Sequence, residues 1–210
     1  MKSIRILLAD DHAILVEALR KLLENDFDIV GSAADGRSVV EMALELKPDV
    51  ILLDLTLPVL NGLEAARQLK KRAPEITIVF LTMNEDRELA AEALRIGAAG
   101  YVLKTSAASE LRQAIRAGLA GRTFVTPSID PGHWAKNDSI HAESYRGLTA
   151  RQREVLQLLA EGQSMKEVGR SLGLTARTVA FHKYRMMESL GLQNSSQLVK
   201  YAIRHHIARA

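Results

Sequence analysis

The sequence predicts an α/β domain on a doubly wound parallel sheet of five strands, followed by a second, smaller domain made of helices alone. Three observations predict it. Over the first 122 residues, short apolar runs rich in β-branched residues alternate with charged segments of helical period. Beyond residue 145 only helical periodicity remains. The length, 210 residues with 47% hydrophobic content, is enough for two ordinary cores.

The strand-like runs lie at 4–9, 27–33, 50–53, 76–81 and 100–103, and the helical segments at 13–24, 37–47, 62–72, 86–96 and 107–120. Each helical segment is long enough to cross over between parallel strands, which gives five successive βα units. In such sheets ligand-binding groups collect at the carboxyl ends of the strands. Those ends carry Asp10 and Asp11 after the first strand, Asp54 after the third, Thr82 after the fourth and Lys104 after the fifth. Singly, each has an ordinary role: an aspartate caps helices, and a surface lysine is usually solvated. Together on one sheet edge they are far more specific. Three crowded carboxylates repel unless a cation lies among them, and hard oxygen donors in a chain without cysteine select Mg2+ or a similar ion. A carboxylate is also a nucleophile toward phosphorus. Asp54, which ends the apolar run Val50-Ile51-Leu52-Leu53, is the candidate acceptor. On this reading Asp11 and Asp54 chiefly hold the metal and Asp10 acts through a water. Lys104 brings positive charge to the phosphoryl oxygens and the Thr82 hydroxyl donates a hydrogen bond to them.

Composition narrows the function classes. The absence of cysteine excludes a disulfide framework and thiolate metal sites, and points to the cytoplasm. The apolar stretch at the N-terminus is too short for a signal peptide, and no run approaches the roughly 20 residues of a membrane helix. Net charge is only +3. Its distribution is uneven: residues 144–210 hold 11 Lys and Arg against 4 Asp and Glu, and residues 1–143 hold 17 against 21. A basic C-terminal domain suits a polyanionic partner.

The first domain is read as 1–122 and the linker as 123–145, where Thr126-Pro127-Ser128, Asp130-Pro131-Gly132 and Asn137-Asp138-Ser139 concentrate turn formers. The single tryptophan, Trp134, falls in this linker and is read as packing on one of the domains. The second domain, 146–210, begins with a helix capped by Thr149 that carries the stripe Val155, Leu156, Leu158 and Leu159. A short helix at 165–172 stops at Gly173, and Thr175 caps a third that runs to about residue 190. Two helices across a tight glycine turn, the later one basic, make a helix-turn-helix pattern. At about 100° per residue, Val179, Met186 and Leu190 share one side of the third helix. Arg177, Phe181, Tyr184, Arg185 and Glu188 share the other, which is free to enter a major groove.

Over residues 3–122 the chain resembles the receiver domain of two-component response regulators. The residues that carry the resemblance are 6–12 with Asp10 and Asp11, 49–55 around Asp54, Pro58 with Asn61-Gly62, Leu81-Thr82-Met83, and 97–104 ending at Lys104. The resemblance implies the flavodoxin-like fold, Asp54 as phosphoacceptor from a histidine kinase, and Thr56 as a backbone-carbonyl metal ligand. It also implies Thr82 and Tyr101 as a switch pair: the hydroxyl moves toward the phosphate and the ring changes its burial. Residues 146–207 resemble the LuxR-type helix-turn-helix of the NarL/FixJ group, through Leu148-Thr149, Glu154-Val155-Leu156, Lys166-Glu167-Val168, Leu172-Gly173-Leu174, Thr178-Val179 and Leu190-Gly191-Leu192. That resemblance implies a fourth helix near 195–206, through which such domains dimerise on promoter DNA. It makes Arg177, Thr178, Ala180, Phe181, Lys183, Tyr184 and Arg185 the candidate DNA contacts. Ala180 and Tyr184 stand where basic residues are common, so apolar contact with thymine methyls takes a larger share of the expected readout. Gly169 stands where alanine is usual.

The expected function is a phosphorylation-dependent transcriptional regulator, not an enzyme, that is homodimeric when phosphorylated, with RNA polymerase as a further candidate partner and no membrane association. The unphosphorylated receiver is expected to mask the recognition helix or the dimer surface. An aspartate-nucleophile phosphatase needs a second acid two residues on, and Asp54-Leu55-Thr56 lacks it. The alternative is a receiver-controlled interaction module that has lost DNA binding.

Overall fold

The computed structural model describes residues 3–106, 108–129 and 148–208. In the first domain β1 (Arg5–Ala9), α1 (Ala13–Leu23), β2 (Asp28–Ala33), α2 (Gly36–Leu46), β3 (Val50–Leu53), α3 (Gly62–Arg72), β4 (Thr77–Thr82), α4 (Arg87–Ile96), β5 (Gly100–Leu103) and α5 (Ala108–Leu119) alternate strictly. Trp134 lies outside the described residues.

All strands pair in parallel, in the order β2-β1-β3-β4-β5-β6. The sheet therefore has six strands where five are expected. The sixth, β6 (Phe124–Val125), sits inside the stretch read as linker. Two residues among turn formers give no readable alternation, and what fixes them is tertiary: Thr126 donates its N–H to the Tyr101 carbonyl at 3.0 Å and its Oγ1 accepts from the Leu103 amide at 3.1 Å. Ile129 then enters the core.

Both faces of the sheet are covered, which is why β1, β3 and β4 read as continuous apolar runs. Successive side chains alternate between the faces. Leu7, Ile51, Leu53, Ile78 and Phe80 pack with α2, α3 and α4, whereas Ile6, Leu8, Val50, Leu52 and Val79 pack with α1 and α5.

The second domain holds α6 (Ala150–Ala160), α7 (Met165–Leu172), α8 (Ala176–Ser189) and α9 (Ser195–Arg204) around Val155, Leu156, Leu158, Val168, Val179, Met186 and Leu198. Each helix starts on a side-chain cap, Thr149, Ser164, Thr175 and Asn194 in turn, and the first two form full capping boxes with Gln152 and Glu167. The turn between α7 and α8 is set by Gly173 at φ 65°.

Candidate functional site

The strand order reverses between β1 and β3, and this is where a doubly wound sheet opens a crevice. Asp10 and Asp54 stand there, tied together by the Asp54 N–H donating to the Ala9 carbonyl at 2.8 Å. Asp54 is 1% exposed, Thr82 2% and Asp10 4%. The start of α3 presses against the same backbone: a Cβ at Gly62 would stand 2.0 Å from the Asp54 carbonyl oxygen, so only glycine permits this approach.

Lys104 Nζ lies 2.6 Å from Asp10 Oδ2 and 3.1 Å from Asp54 Oδ2. Oxygens of Asp10, Asp11 and Asp54 and a nitrogen of His12 fall within 4.8 Å of one another. His12 Nδ1 is 3.0 Å from the carboxylates of both Asp10 and Asp11. Three converging carboxylates fit a hard divalent cation such as Mg2+. The Thr56 hydroxyl donates to Asp54 Oδ2 at 3.2 Å, and its amide lies 3.3 Å from Oδ1. Neither Asp10 nor Asp11 caps α1. The N-cap is His12, whose N–H donates to Asp10 Oδ1 at 2.9 Å.

At the end of β4, Thr82 Oγ1 accepts the Asn84 amide at 3.1 Å. The Tyr101 ring is fully buried and its hydroxyl donates to the Asn84 carbonyl at 2.8 Å. Burial, reinforced by the negative charges of Asp86 and Asp54, pushes the Tyr101 phenol well above its ordinary range, so it stays a donor. Asp10, Asp11, Asp54 and Lys104 thus meet in one pocket, Thr56 and Thr82 border it, and Tyr101 reaches it through Asn84.

On α8, Val179 and Met186 are buried and Phe181 and Tyr184 are each 60% exposed. Arg177 and Arg185 are exposed, and Thr178, Ala180 and Lys183 are partly so. Arg185 lies over the Phe181 ring, and Lys183 donates to Ser195 Oγ at 2.7 Å. The His182 ring packs edge-on against Phe181. Thr178 is drawn into the helix start, its Oγ1 2.9 Å from that of Thr175.

The two domains dock, but not over this face. The contacts come from α6, the end of α7 and the residues after α9. Gln157, 1% exposed, accepts the Asn61 N–H at 2.7 Å and donates to the Leu57 carbonyl at 2.9 Å. Glu161 accepts the Val59 N–H at 3.2 Å, and Arg153 pairs with buried Glu64 at 2.8 Å. Arg37 donates to the Ser171 carbonyl, and Asn84 Nδ2 stands 3.2 Å from His206 Nδ1. Of the two expected targets of masking, the recognition helix and the dimer surface, the first is corrected: the outer face of α8 is open. Sequence reasoning missed these contacts, although Gln157, a lone polar residue inside the stripe Val155–Leu159, was a readable signal.

This architecture defines a class: a phosphoacceptor-type α/β domain that governs a helix-turn-helix module. Residues 6–116 match the response regulator receiver domain, and residues 146–202 match the bacterial regulatory proteins of the luxR family. The chain belongs to the response regulators that combine these two domains, and it is a phosphorylation-dependent transcriptional regulator. It is 35% identical to the transcriptional regulatory protein LiaR of Bacillus subtilis, over 97% of this chain and 99% of LiaR. It also matches a structure of the response regulator RcsB of Salmonella typhimurium, with 28% identity and a TM-score of 0.64 over 96% of this chain and 97% of that one. A structure of two RcsB dimers bound to two parallel DNAs matches with 26% identity and a TM-score of 0.57, over 95% of this chain and 98% of that one.

Proposed function

We propose that Asp54 accepts a phosphoryl group from a sensor histidine kinase, and that this switches the hold of the second domain on promoter DNA. The observation that carries the reading is the buried Lys104 ammonium, held between the carboxylates of Asp10 and Asp54. Asp11 and Asp54, with the Thr56 carbonyl, would hold Mg2+, and Asp10 would act through a water. The ion supplies charge neutralisation to the attacking carboxylate and the incoming phosphoryl oxygens. Lys104 then exchanges a carboxylate partner for a phosphoryl oxygen, and the Thr82 hydroxyl donates to another. Because Thr82 now serves the Asn84 amide, its turn toward the phosphoryl group releases Asn84 and with it the acceptor of Tyr101.

On DNA, Arg177, Lys183 and Arg185 supply cationic contacts, and Phe181, Tyr184, Ala180 and Thr178 present apolar and hydroxyl groups to base edges. A homodimer formed on phosphorylation places two such helices on paired half-sites. RNA polymerase is the partner through which a bound dimer changes transcription, and the protein works in the cytoplasm. Its own chemistry is one phosphoryl capture, not turnover of a substrate. The experiment is incubation with Mg2+ and acetyl phosphate followed by intact mass. Wild type gains one phosphoryl mass and Asp54→Asn gains none; equal gain by the variant would move the acceptor elsewhere.

A further inference from the structure

We propose that the seam between the two domains holds a binding site for a small phosphomonoester with an apolar body, clasped by Arg37, Arg72 and Arg151. A cavity of about 320 Å³ opens there, and small-molecule sites favour such domain boundaries. Its walls come from both domains: α2, α3 and Leu60 of the loop 55–61 on one side, α6 and α7 on the other. It shares no lining residue with the Asp54 pocket or with α8.

Two of the three guanidiniums are fixed by one helix end. The last carbonyls of a helix have no amide partner within it, and at the end of α7 arginines from opposite domains take them. Arg37 Nη1 donates to the Ser171 carbonyl at 2.5 Å, and Arg151 Nη2 donates to that of Leu172. Capping accounts for those two bonds. It also sets two cations side by side on consecutive carbonyls, where like charges repel. Glu154 offsets only Arg151: its Oε2 accepts from Arg151 at 2.6 Å and its Oε1 from Gln68 at 3.2 Å. Among the described residues Arg37 and Arg72 pair with no carboxylate, Glu41 on the same wall included. A phosphoryl dianion supplies the counter-charge that the fold leaves out. Planar guanidinium forks match its oxygens two at a time, and Arg37 keeps Nε and Nη2 for that purpose. The start of α2 is not the donor, because Asp35 already accepts the Arg37 and Ser38 amides. Buried Val40, Leu60 and Leu172 offer the organic body an apolar surface, which selects an ester over the inorganic ion. Since Arg151 belongs to the second domain and the other two arginines to the first, the ligand binds the docked arrangement and stabilises it by mass action.

The test titrates the full chain with AMP by calorimetry, with inorganic phosphate as the comparison. EDTA is present throughout, so that no metal carries phosphate into the Asp54 pocket. AMP should bind about tenfold more tightly than phosphate and raise the thermal midpoint. Arg37→Ala should weaken AMP, but it also removes a contact between the domains. Arg72→Ala avoids that ambiguity: the residue is exposed and touches no partner across the seam, so the variant stays folded and docked. It should weaken AMP by about tenfold, the loss of one charged hydrogen-bonding group. Absence of AMP binding, equal affinity in wild type and Arg72→Ala, or affinity for AMP no greater than for phosphate would each overturn the inference.

Discussion

Lys104 is the residue whose removal should be felt most. With it gone, Asp10 and Asp54, both almost fully buried, face each other with no cation. Removing one member of a buried ion pair strands the other, at a cost of roughly 3 kcal/mol. Lys104→Ala should therefore lower the urea midpoint, measured with divalent metal chelated, and adding Asp54→Asn should restore part of the loss; strict additivity of the two would mean they do not interact. Tyr101 gives a smaller prediction. Tyr101→Phe keeps the buried ring and deletes only the hydrogen bond to the Asn84 carbonyl, so it should cost about 1 kcal/mol by chemical denaturation. Asp10, Asp54 and Lys104 were legible in the sequence because each follows a strand end, and strand ends converge by topology, whereas Tyr101, inside β5, was marked only by the family resemblance. Asn84 was not legible, because its role consists of a carbonyl, an amide and a side chain placed by folding.

At the scale of elements, local chemistry decides what was readable. The caps Thr149 and Thr175, the glycine stop at 173 and the apolar stripe place the helices of the second domain within a residue or two. The strand β6 escaped because two residues carry no period and their partner is β5. Gly169 shows how a deviation from a family pattern gains a physical reason. A Cβ there would lie 2.7 Å from the Leu174 carbonyl oxygen, so α7 closes more tightly on its turn than alanine allows. Gly169→Ala, despite its higher helix propensity, should destabilise the second domain by about 1–3 kcal/mol, visible as a lower thermal midpoint. On α6, burial against the 55–61 loop raises the Glu161 carboxyl above its ordinary value, opposed by the hydrogen bonds from Gln157 and Val59. A raised acid binds more protons folded than unfolded, so its contribution to stability is fully present below the ordinary carboxyl value and is lost as pH climbs through the raised one. Glu161→Gln keeps an acceptor for both Gln157 and Val59 and removes the titration. It should flatten that acid-side rise in a denaturation series, and an unchanged slope would assign it to another group.

For the whole molecule, the question is how firmly two domains with separate cores act as one. An ion-pair chain runs from Glu92 on α4 through Arg67 and Glu64 on α3 to Arg153 on α6, crossing the interface at its last step. Gln68 with Glu154, Gln157 with the 55–61 loop and Asn84 with His206 add polar contacts on either side of it. At about 1 kcal/mol net for each hydrogen bond, and more for a shielded charge pair, the interface amounts to several kcal/mol. Gln157 apart, this pairing was not legible in the sequence, since Glu64 and Arg153 are 89 residues apart and each alone reads as a solvated helix residue. A coupling of that size should make wild type unfold in one calorimetric transition. Arg153→Ala leaves Glu64 with Arg67 alone, and combined with Gln157→Ala it removes the central contacts, so the endotherm should split into two. The undocked variant should also bind a promoter duplex with an unchanged salt slope, because α8 and its cations already face solvent when docked. A steeper slope in the variant would mean that docking hides phosphate-contacting residues after all. Substituting Arg185 by alanine instead should reduce the slope by about 0.9, the loss of one phosphate contact.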